Sequence, residues 1–406
     1  MPPVRILHLI TDLGAGGAET WLCRLLSRLP REGFDCRVVS MLPLDGPQGA
    51  LAGAIRDLGV PVQSLGMRRG LPGPGGLLRL MELLRHWRPH VLQTWMYHAD
   101  LLGLLAARAC GCGAAVSWGL RAGYMDFSRY GLATRLTVRA CARLSHLPQA
   151  VTANSCAGAR LHVEALGYRP RRLTVLENGV DGEVFRPDAE AGARLRAEWN
   201  VPPGALLAGL VARVDAMKGH DVFCMAMRRV RERFPQALPV FCGQGTEPGA
   251  PELDALLARH GLAGAGAVRL GQRRDVPQVL AALDVLALPS LGEGFPNALA
   301  EGLACGVPVA ALDVGDARRM VGPGGLLADA AESGPGSGSG AGPERRAAAL
   351  AECLEGVLAL TPEQRSGMGT LGRFHVLNEF GLDAAVARWA AHFESLAAES
   401  GSPLAE

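Results

Sequence analysis

The chain has 406 residues, 49% of them hydrophobic and 20% charged, which predicts two to three globular domains and excludes a mostly disordered protein. Its formal net charge of +2 conceals two opposite halves, because residues 1–182 carry 21 arginines against 12 acidic residues, whereas residues 183–406 carry 20 basic against 27 acidic residues. No stretch reaches the ~18 apolar residues of a membrane-spanning helix. The ten cysteines lack a disulfide or zinc spacing, and the first apolar run meets Asp12 too early for a signal peptide. We therefore expect a cytoplasmic protein.

Short runs rich in β-branched residues alternate with helical patterns along the whole chain. This alternation predicts parallel sheets flanked by helices. Its repetition in both halves predicts an α/β fold of two Rossmann-like doubly wound domains that face each other across a cleft. The predicted strands are residues 4–10, 36–42, 61–65, 90–95, 114–120, 150–155 and 173–179, then 206–214, 238–243, 267–271, 284–290, 308–313 and 325–329.

The boundary between the two domains is predicted near residues 182–204, where glycine and proline clusters bracket a charged helix. We assign residues 1–182 to the N-terminal domain, 183–380 to the C-terminal domain, and 381–406 to a C-terminal helix and tail, with the helix packing back on the N-terminal domain. Residues 333–343 consist almost entirely of Gly, Ser, Pro and Ala, which predicts a flexible loop. Doubly wound sheets bind ligands at the carboxyl ends of their strands, so the cleft is the expected site.

A glycine-rich turn, Gly14-Ala15-Gly16-Gly17-Ala18-Glu19, lies between the first strand and a helix. Glycines here would let backbone N–H groups and the helix N-terminus approach an anion closely. A dinucleotide fingerprint requires glycine where this chain has Glu19, which disfavours an NAD-dependent oxidoreductase. A tight strand–helix turn without any ligand is the alternative for this motif.

A second motif runs from Arg213 to Asp221 and contains Lys218, the only lysine among the 41 basic residues. The motif follows an apolar strand and precedes a helix. An arginine can fork across two phosphate oxygens while an ammonium acts as a compact point charge. Two cations five residues apart at a strand end therefore predict a diphosphate site, with a pair of ordinary surface cations as the alternative.

A third motif, from Glu293 to Glu301, follows the predicted strand 284–290. Gly294 permits a tight turn and Pro296 suits the first turn of a helix, so both carboxylates can face the same cleft. Paired carboxylates could grip the hydroxyls of a sugar and a ribose. They could also be the acid and base of a glycoside hydrolase, or two acids that complement the helix dipole.

Taken together, these motifs resemble glycosyltransferase family 4. The likeness covers most of the chain and includes Asn178-Gly179-Val180-Asp181, 270–277 and Gly306-Val307-Pro308-Val309. The resemblance implies a retaining hexosyltransferase of the GT-B fold that moves a sugar from a nucleotide-diphosphate sugar to a glycan or lipid-linked acceptor in the synthesis of cell-surface polysaccharide or glycolipid. An epimerase of the same build, or a nucleotide-sugar-binding protein without activity, is the alternative.

The resemblance also implies roles for individual residues of the donor site. Arg213 and Lys218 would hold the donor diphosphate and stabilise the charge that develops on the leaving group. Glu301 would bind the ribose, while Glu293 and the backbone amides of Gly294, Phe295 and Asn297 would hold the transferred sugar. Arg273 would lie near the base, and Gly16 and Gly17 would reach the phosphates from the opposite domain on closure. Such enzymes generally need no metal or other cofactor, because the two cations do that work.

The N-terminal half departs from the family pattern at one place. Family members often carry two histidines at positions that here hold Gln93 and Trp95, and His98 follows three residues later. We assign the catalytic role near the transferred sugar to His98, with ordinary packing or capping as the alternative. Arg121 ends the predicted strand 114–120 and is assigned to the acceptor or to a phosphate.

The basic charge of the N-terminal half is concentrated in residues 129–146. Arg135, Arg139 and Arg143 recur every four residues, with Leu132, Leu136 and Leu144 placed on other faces. A basic amphipathic helix can lie on an anionic membrane surface, which predicts peripheral contact with the inner face of the membrane, whereas a solvated helix face is the alternative. The basic residues lack interleaved aromatics, which disfavours nucleic-acid binding.

Overall fold

The computed structural model describes residues 2–14, 16–68, 74–264, 266–329 and 342–400. The strands in this part of the chain correspond one for one to those predicted from the sequence, with several of them shorter. They are β1 Val4–Ile10, β2 Phe34–Ser40, β3 Val62–Ser64, β4 Val91–Trp95, β5 Ala115–Leu120, β6 Ala150–Ala153, β7 Leu173–Val175, β8 Leu206–Val211, β9 Ala237–Cys242, β10 Val268–Arg269, β11 Val285–Leu288, β12 Val309–Asp313 and β13 Gly325–Asp329.

Helices fill the segments between the strands and follow the last of them. They are α1 Gly17–Arg28, α2 Ala52–Asp57, α3 Pro74–Trp87, α4 Tyr97–Cys110, α5 Leu132–Leu144, α6 Cys156–Arg160, α7 Ala189–Glu198, α8 His220–Arg233, α9 Pro251–Arg259, α10 Val276–Ala281, α11 Asn297–Ala304, α12 Ala317–Val321, α13 Pro343–Leu358, α14 Pro362–Phe380 and α15 Leu382–Ala398. Single turns of 3-10 helix occur at several loops, and a π-helical turn, Leu161–Ala165, follows α6.

The chain divides into two compact units, each of which contains one sheet. The N-terminal unit comprises residues 1–179 and 383–406, and the C-terminal unit comprises residues 180–382. The sequence placed the corresponding boundaries at 182/183 and 380/381. Most of the predicted loop 333–343 lies outside the described residues, although its last residue, Pro343, begins α13.

The N-terminal unit holds a seven-stranded sheet in the order β3-β2-β1-β4-β5-β6-β7. Each pair of neighbouring strands is parallel. Every residue of β4, β5 and β6 is buried, as expected of parallel strands covered on both faces. The strand order reverses direction between β1 and β4, and this switch point is where doubly wound sheets bind ligands.

The C-terminal unit repeats the same plan with a six-stranded sheet in the order β10-β9-β8-β11-β12-β13. All of its strand pairs are also parallel. Its switch point lies between β8 and β11, which pair through Val285 and Leu286. The two sheets establish the predicted α/β class, with two doubly wound parallel-sheet units.

The C-terminal helix α15 belongs to the N-terminal unit from Asp383 onward and contributes to its core. Trp389 and Phe393 on this helix are fully buried. The Trp389 ring stacks on Trp95 at the end of β4, with ring centres 5.4 Å apart, and His392 shares a 3.2 Å hydrogen bond with Ser117 in β5. Residues near the end of the chain therefore complete the environment of the strand ends β4 and β5.

Candidate active site

The loops that follow β8 and β11 carry two of the three motifs found in the sequence. In a parallel sheet the carboxyl ends of all strands lie at one edge, and β8 and β11 are neighbours at the switch point of their sheet. The motif from Arg213 to Asp221 and the motif from Glu293 to Glu301 therefore meet at the edge where such sheets bind ligands.

The loop after β8 is held by a local turn that fixes Lys218. Asp215 caps a 3-10 turn over residues 216–218 by accepting a 2.8 Å hydrogen bond from the Met217 N–H. Gly219 follows with φ +70°, a left-handed conformation that glycine adopts without the steric cost of a Cβ. Helix α8 begins directly afterwards at His220, so Lys218 lies next to the positive end of a 14-residue helix.

The loops after β8 and β11 are in direct contact with each other. The Leu291 N–H donates a 2.8 Å hydrogen bond to the Met217 carbonyl. A Cβ added to Gly219 would lie only 2.2 Å from the Pro289 carbonyl oxygen, so only glycine permits this approach. The backbone thus fixes the distance between the two motifs before any side chain is considered.

Lys218 and Glu293 form an ion pair across this contact. The ammonium lies 2.7 Å from Glu293 Oε1, and the same oxygen accepts a 2.7 Å hydrogen bond from the Ser290 hydroxyl. The side chains are 31% and 10% exposed, respectively. The pair is therefore reachable by a ligand but partly removed from solvent, where screening is weaker than at the surface.

Arg346 in α13 supports the loop after β11 from the protein interior. Its buried guanidinium donates through Nη2 to the Pro289 carbonyl at 3.0 Å and to the Ser290 carbonyl at 2.7 Å. We did not single out this residue from the sequence. The available signal was its position four residues before Leu350, on the face of α13 that is otherwise apolar and buried.

The other two arginines assigned to the donor occupy different environments. Arg213 is exposed, with 59% of its side chain accessible and Nη2 lying 3.3 Å from Asp215. Arg273 makes a bidentate pair with Asp275 at 2.8 and 2.6 Å, and these hydrogen bonds raise the pKa of its guanidinium. Arg213 is thus available to a ligand, whereas Arg273 is already held by a carboxylate.

The remaining donor residues lie at the start of α11. Asn297 is the first residue of this helix, Glu301 follows one turn later, and both are half-buried together with Gly294. The Phe295 ring is buried and packs against Phe380 with ring centres 5.6 Å apart. Only the backbone of Phe295 can therefore face a ligand, as its assignment requires.

The glycine-rich turn of the N-terminal unit lies at the end of β1. Gly16 is the N-cap of α1 and Gly17 is its first residue. A Cβ on Gly16 would lie 2.2 Å from Glu19 Oε2, so the carboxylate of Glu19 folds back over the helix start. This side chain occupies the position from which an anion would approach the first turn.

The end of β4 carries a backbone strain next to His98. Met96 has φ +73°, which is uncommon for a residue with a side chain, and strained backbone of this kind clusters at functional sites. His98 follows in the first turn of α4 and is half-buried, and this burial lowers its pKa. The imidazole is therefore neutral at physiological pH. Trp95, which the sequence analysis assigned to a family histidine position, is fully buried.

The helix predicted to face a membrane is α5, and its side chains are arranged differently from the prediction. Arg135 is half-buried and donates to the Tyr130 carbonyl at 2.7 Å, so it braces the preceding loop. Arg139 and Arg143 are exposed and line one shallow groove with Leu136 and Leu144. The expectation that leucines and arginines occupy separate faces was wrong, because the spacing of four residues drifts around the helix.

Two family models match the chain and together extend over most of it. The one described as "Glycosyltransferase Family 4" matches residues 15–184, and the one described as "Glycosyl transferases group 1" matches residues 205–355. The chain belongs to glycosyltransferase family 4. The resemblance found in the sequence is thereby confirmed.

Curated relatives of this chain include enzymes whose names give different acceptors. D-inositol 3-phosphate glycosyltransferase of Stackebrandtia nassauensis is 33% identical over 174 residues, which are 41% of this chain and 39% of that enzyme. UDP-Gal:alpha-D-GlcNAc-diphosphoundecaprenol alpha-1,3-galactosyltransferase of Escherichia coli is 26% identical over 247 residues, which are 57% of this chain and 60% of that enzyme. The family-4 chain thus spans about half the length of the curated relatives it matches.

Solved structures share the fold along almost the whole chain. HepE of Anabaena, solved in complex with UDP and glucose, superimposes with a TM-score of 0.78 and 20% identity over 97% of this chain and 100% of that one. This similarity confirms the predicted two-domain architecture of GT-B enzymes. In the described part of the family-4 chain, no helix has the length and apolar character needed to cross a membrane.

Proposed function

We propose that the protein is a retaining hexosyltransferase that moves a sugar from a nucleoside-diphosphate sugar to a glycan or lipid-linked acceptor in the synthesis of cell-surface polysaccharide or glycolipid. The contact between Lys218 and Glu293 carries this proposal. It joins a cation suited to a diphosphate and a carboxylate suited to sugar hydroxyls at the switch point of one sheet. A nucleotide-sugar donor is supported by UDP-Gal in the name of the Escherichia coli relative and by the UDP-glucose bound in a structure of HepE.

Arg213 and Lys218 are proposed to bind the donor diphosphate. The exposed guanidinium of Arg213 can present two N–H groups to phosphate oxygens, and the Lys218 ammonium adds a point charge next to the start of α8. When the bond between the anomeric carbon and the phosphate oxygen breaks, its electron pair passes to the phosphate. Both cations stabilise that charge, and we propose that the reaction needs no metal ion for this reason.

Glu293 is proposed to accept hydrogen bonds from hydroxyls of the transferred sugar. Oε1 accepts hydrogen bonds from Ser290 and Lys218, which fixes the carboxylate in position, and Oε2 can accept further hydrogen bonds. The backbone amides at Gly294, Phe295 and Asn297 would complete the sugar site. Glu301, one turn into α11, is proposed to bind the ribose, while Arg273 acts near the base together with its partner Asp275.

His98 is proposed to act on the transferred sugar or the attacking hydroxyl. Its pKa is lowered by burial, so the neutral ring can accept a hydrogen bond or a proton at neutral pH. The oxygen of the acceptor hydroxyl forms the new bond to the anomeric carbon, and its proton leaves to the departing diphosphate or to this base. The contribution of Gly16 and Gly17 to phosphate binding stays a prediction.

A binding and turnover experiment tests this function. UDP-, GDP- and ADP-sugars should be screened by thermal shift, because a ligand at 100 times its Kd stabilises the folded state by about 2.7 kcal/mol. The stabilising donor is then used to measure nucleotide release and to determine the anomeric configuration of the product. Lys218→Ala and Glu293→Ala should each lower kcat at least about 100-fold, and Lys218→Ala should also weaken binding of the nucleoside diphosphate.

Arg229→Ala is the matched control, since Arg229 is an exposed cation later on the same helix α8 and should leave turnover unchanged. Full activity of Lys218→Ala or Glu293→Ala would contradict the site. Inversion of the anomeric configuration would contradict the retaining mechanism.

We also propose that the exposed face of α5 contacts an anionic membrane. Leu132 and Leu136 are 69% and 53% exposed, and with Arg139 and Arg143 they form one stripe at helical spacing. Exposed leucines can enter the headgroup region while the arginines pair with lipid phosphates. A lipid-linked acceptor, as printed in the name of the Escherichia coli relative, would be reached from such a surface.

Sedimentation with liposomes tests the membrane contact. The protein should bind vesicles that contain phosphatidylglycerol but not vesicles of phosphatidylcholine alone, and salt should weaken binding. Arg139→Glu with Arg143→Glu should abolish sedimentation. Arg228→Glu with Arg229→Glu makes the same charge change on the exposed face of α8 and should leave it intact. Equal loss with both pairs would show that only net charge matters and would overturn the assignment to α5.

A further inference from the structure

Arg121 is a cation with an unusual environment at the end of β5 in the N-terminal unit. Its guanidinium carbon lies 4.4 Å from the centre of the Trp95 ring and 5.3 Å from that of Trp389. Nη1 donates a 2.9 Å hydrogen bond to the side-chain oxygen of Asn178. The two indoles and the amide hold the guanidinium in one place, and one of the indoles comes from the C-terminal helix.

The charge of Arg121 is not balanced by a direct partner. Its Nε and Nη2 atoms are buried and make no hydrogen bond, and within the described residues no carboxylate forms an ion pair with it. Burial lowers the pKa of this guanidinium to about 9, although the charges of Asp100 and Glu19 act against the shift. Arg121 therefore remains a cation at neutral pH, with two donor nitrogens that lack acceptors.

Such an arrangement is costly for a merely structural residue. Leaving a buried donor without an acceptor destabilises the folded state, and the penalty is larger for a charged group. Unsatisfied buried groups of this kind are rare and commonly mark a ligand or catalytic site. The position of Arg121 is also that of a ligand-binding residue, because it directly follows a strand next to the switch-point strand β4.

We propose that Arg121, held by Trp95, Trp389 and Asn178, binds a phosphate group that is carried by the acceptor. The unpaired Nε and Nη2 lie on one edge of the guanidinium, and this edge can fork across two oxygens of a phosphate. The donor diphosphate already has Arg213 and Lys218 in the C-terminal unit. The assignment of this phosphate to the acceptor rests on the proposed function. The phosphate site itself rests only on the geometry of Arg121.

A phosphate titration tests the site without requiring turnover. Sodium pyrophosphate and inorganic phosphate are titrated into Lys218→Ala, which removes the proposed donor cation, with sodium acetate at equal ionic strength as the control anion. The signal is tryptophan fluorescence, because Trp95 and Trp389 contact the guanidinium. We expect a saturable change with both phosphate probes and none with acetate. Adding Arg121→Met should abolish the change, and Arg121→Lys should weaken binding at least about 10-fold, since an ammonium cannot fork.

The melting temperature separates a binding role from a structural one. Because Arg121 is buried without a counter-ion, Arg121→Met should leave the melting temperature unchanged or raise it. A fluorescence titration that is unchanged in Arg121→Met overturns the proposal. The proposal is also overturned if Arg121→Lys has a lowered melting temperature but binds pyrophosphate as tightly as before. That result would mean that Arg121 only stabilises the packing of the two indoles.

The same variants separate this proposal from the proposed function. In the enzyme that retains Lys218, Arg121→Met should raise KM for a phosphate-bearing acceptor at least about 10-fold. It should change KM for the nucleotide sugar less than about 2-fold. An equal rise in both constants would assign the phosphate to the donor and overturn the proposal. If no nucleotide sugar binds at all, the proposed function fails, yet the pyrophosphate titration still decides whether Arg121 binds phosphate.

Discussion

Lys218 carries the only side-chain amine in the 406 residues. Chemical labelling of amines can therefore report directly whether a ligand covers this residue. The forty other basic residues are arginines, so the loop after β8 carries the one ammonium side chain of this sequence. At this place an ammonium pairs with Glu293 at 2.7 Å. An arginine would bring a larger planar group and could not act as a compact point charge.

An amine-selective reagent should therefore modify Lys218 and, at most, the terminal amine. We expect a nucleoside diphosphate to protect Lys218 from reductive methylation at least about 10-fold, because the ligand covers the ammonium that is 31% exposed in the free protein. Peptide mass spectrometry measures the rate, and the terminal amine serves as an internal control. Equal labelling with and without the nucleotide would place the diphosphate elsewhere.

Asp100 in α4 is fully buried, and its protonation should change the stability of the protein with pH. Burial raises its pKa to about 7, despite hydrogen bonds from Thr94 at 2.5 Å and Gly119 at 3.4 Å and the nearby charge of Arg121. The folded state thus binds a proton that the unfolded state releases near pH 4. The stability contributed by that proton is fully present below about pH 4 and is lost as the pH rises towards 7.

Asp100→Asn should remove this dependence, since an amide stays neutral and its oxygen can still accept from Thr94 and Gly119. The variant should be more stable than the natural protein at pH 8, by on the order of 2–4 kcal/mol, and the difference should vanish near pH 4. Urea unfolding at both pH values measures it. Parallel stability profiles for the two proteins would show that Asp100 is ionised throughout.

At the scale of an element, the contact between the loops after β8 and β11 depends on one glycine. Gly219→Ala places a side chain at φ +70°, which costs about 1–2 kcal/mol, and pushes its Cβ against the Pro289 carbonyl. The loops should separate, and Lys218 should move away from Glu293. We expect turnover to fall at least about 10-fold with a modest loss of stability, measured by kcat and by thermal unfolding.

Gly204→Ala is the matched control for this prediction, since Gly204 has a similar φ of +76° but an added Cβ meets no atom within 4 Å. Gly204→Ala should lose a similar amount of folding stability but keep its turnover. Equal turnover in the two variants would mean that the contact between the loops does not position the site.

The elements themselves follow from sequence patterns, whereas several side-chain environments do not. Apolar β-branched runs identified every strand of the described chain, because buried parallel strands must be continuous and apolar. Their carboxyl ends were less accurate: the strand predicted to end at 214 stops at Val211, since the following residues turn into the loop that carries Lys218. The motif spacing also brought Lys218 and Glu293 to the same edge of one sheet.

The environments that the sequence did not predict depend on contacts between distant parts of the chain. Trp389 stacks on Trp95 from almost 300 residues away, so no local pattern could reveal the partner of this tryptophan. Arg346 likewise reaches Ser290 through the tertiary fold. In each case the signal was an unusual residue at a predictable place, and its partner required the structure.

At the scale of the whole molecule, the chain passes between the two units twice, at residues 179/180 and 382/383. Next to these two positions, Val180 pairs with Gly381 in a parallel bridge inside the C-terminal unit, with hydrogen bonds of 2.8 and 3.0 Å to Phe380 and Leu382. The N-terminal unit is therefore built from two segments of sequence, and its core is complete only when α15 returns to it.

This organisation predicts how the chain behaves when it is divided. Residues 1–179 alone should lack a cooperative thermal transition, because they lose Trp389 and Phe393, and burial of each such side chain contributes about 1.5–3 kcal/mol to a domain stability of only about 5–15 kcal/mol. Joining residues 383–406 to them through a Gly/Ser linker should restore cooperative unfolding, as measured by circular dichroism. Residues 180–382 should unfold cooperatively without any addition, since their sheet and its helices come from one continuous segment. A cooperative transition of residues 1–179 at the same temperature as the joined form would mean that α15 contributes no stability to the N-terminal unit.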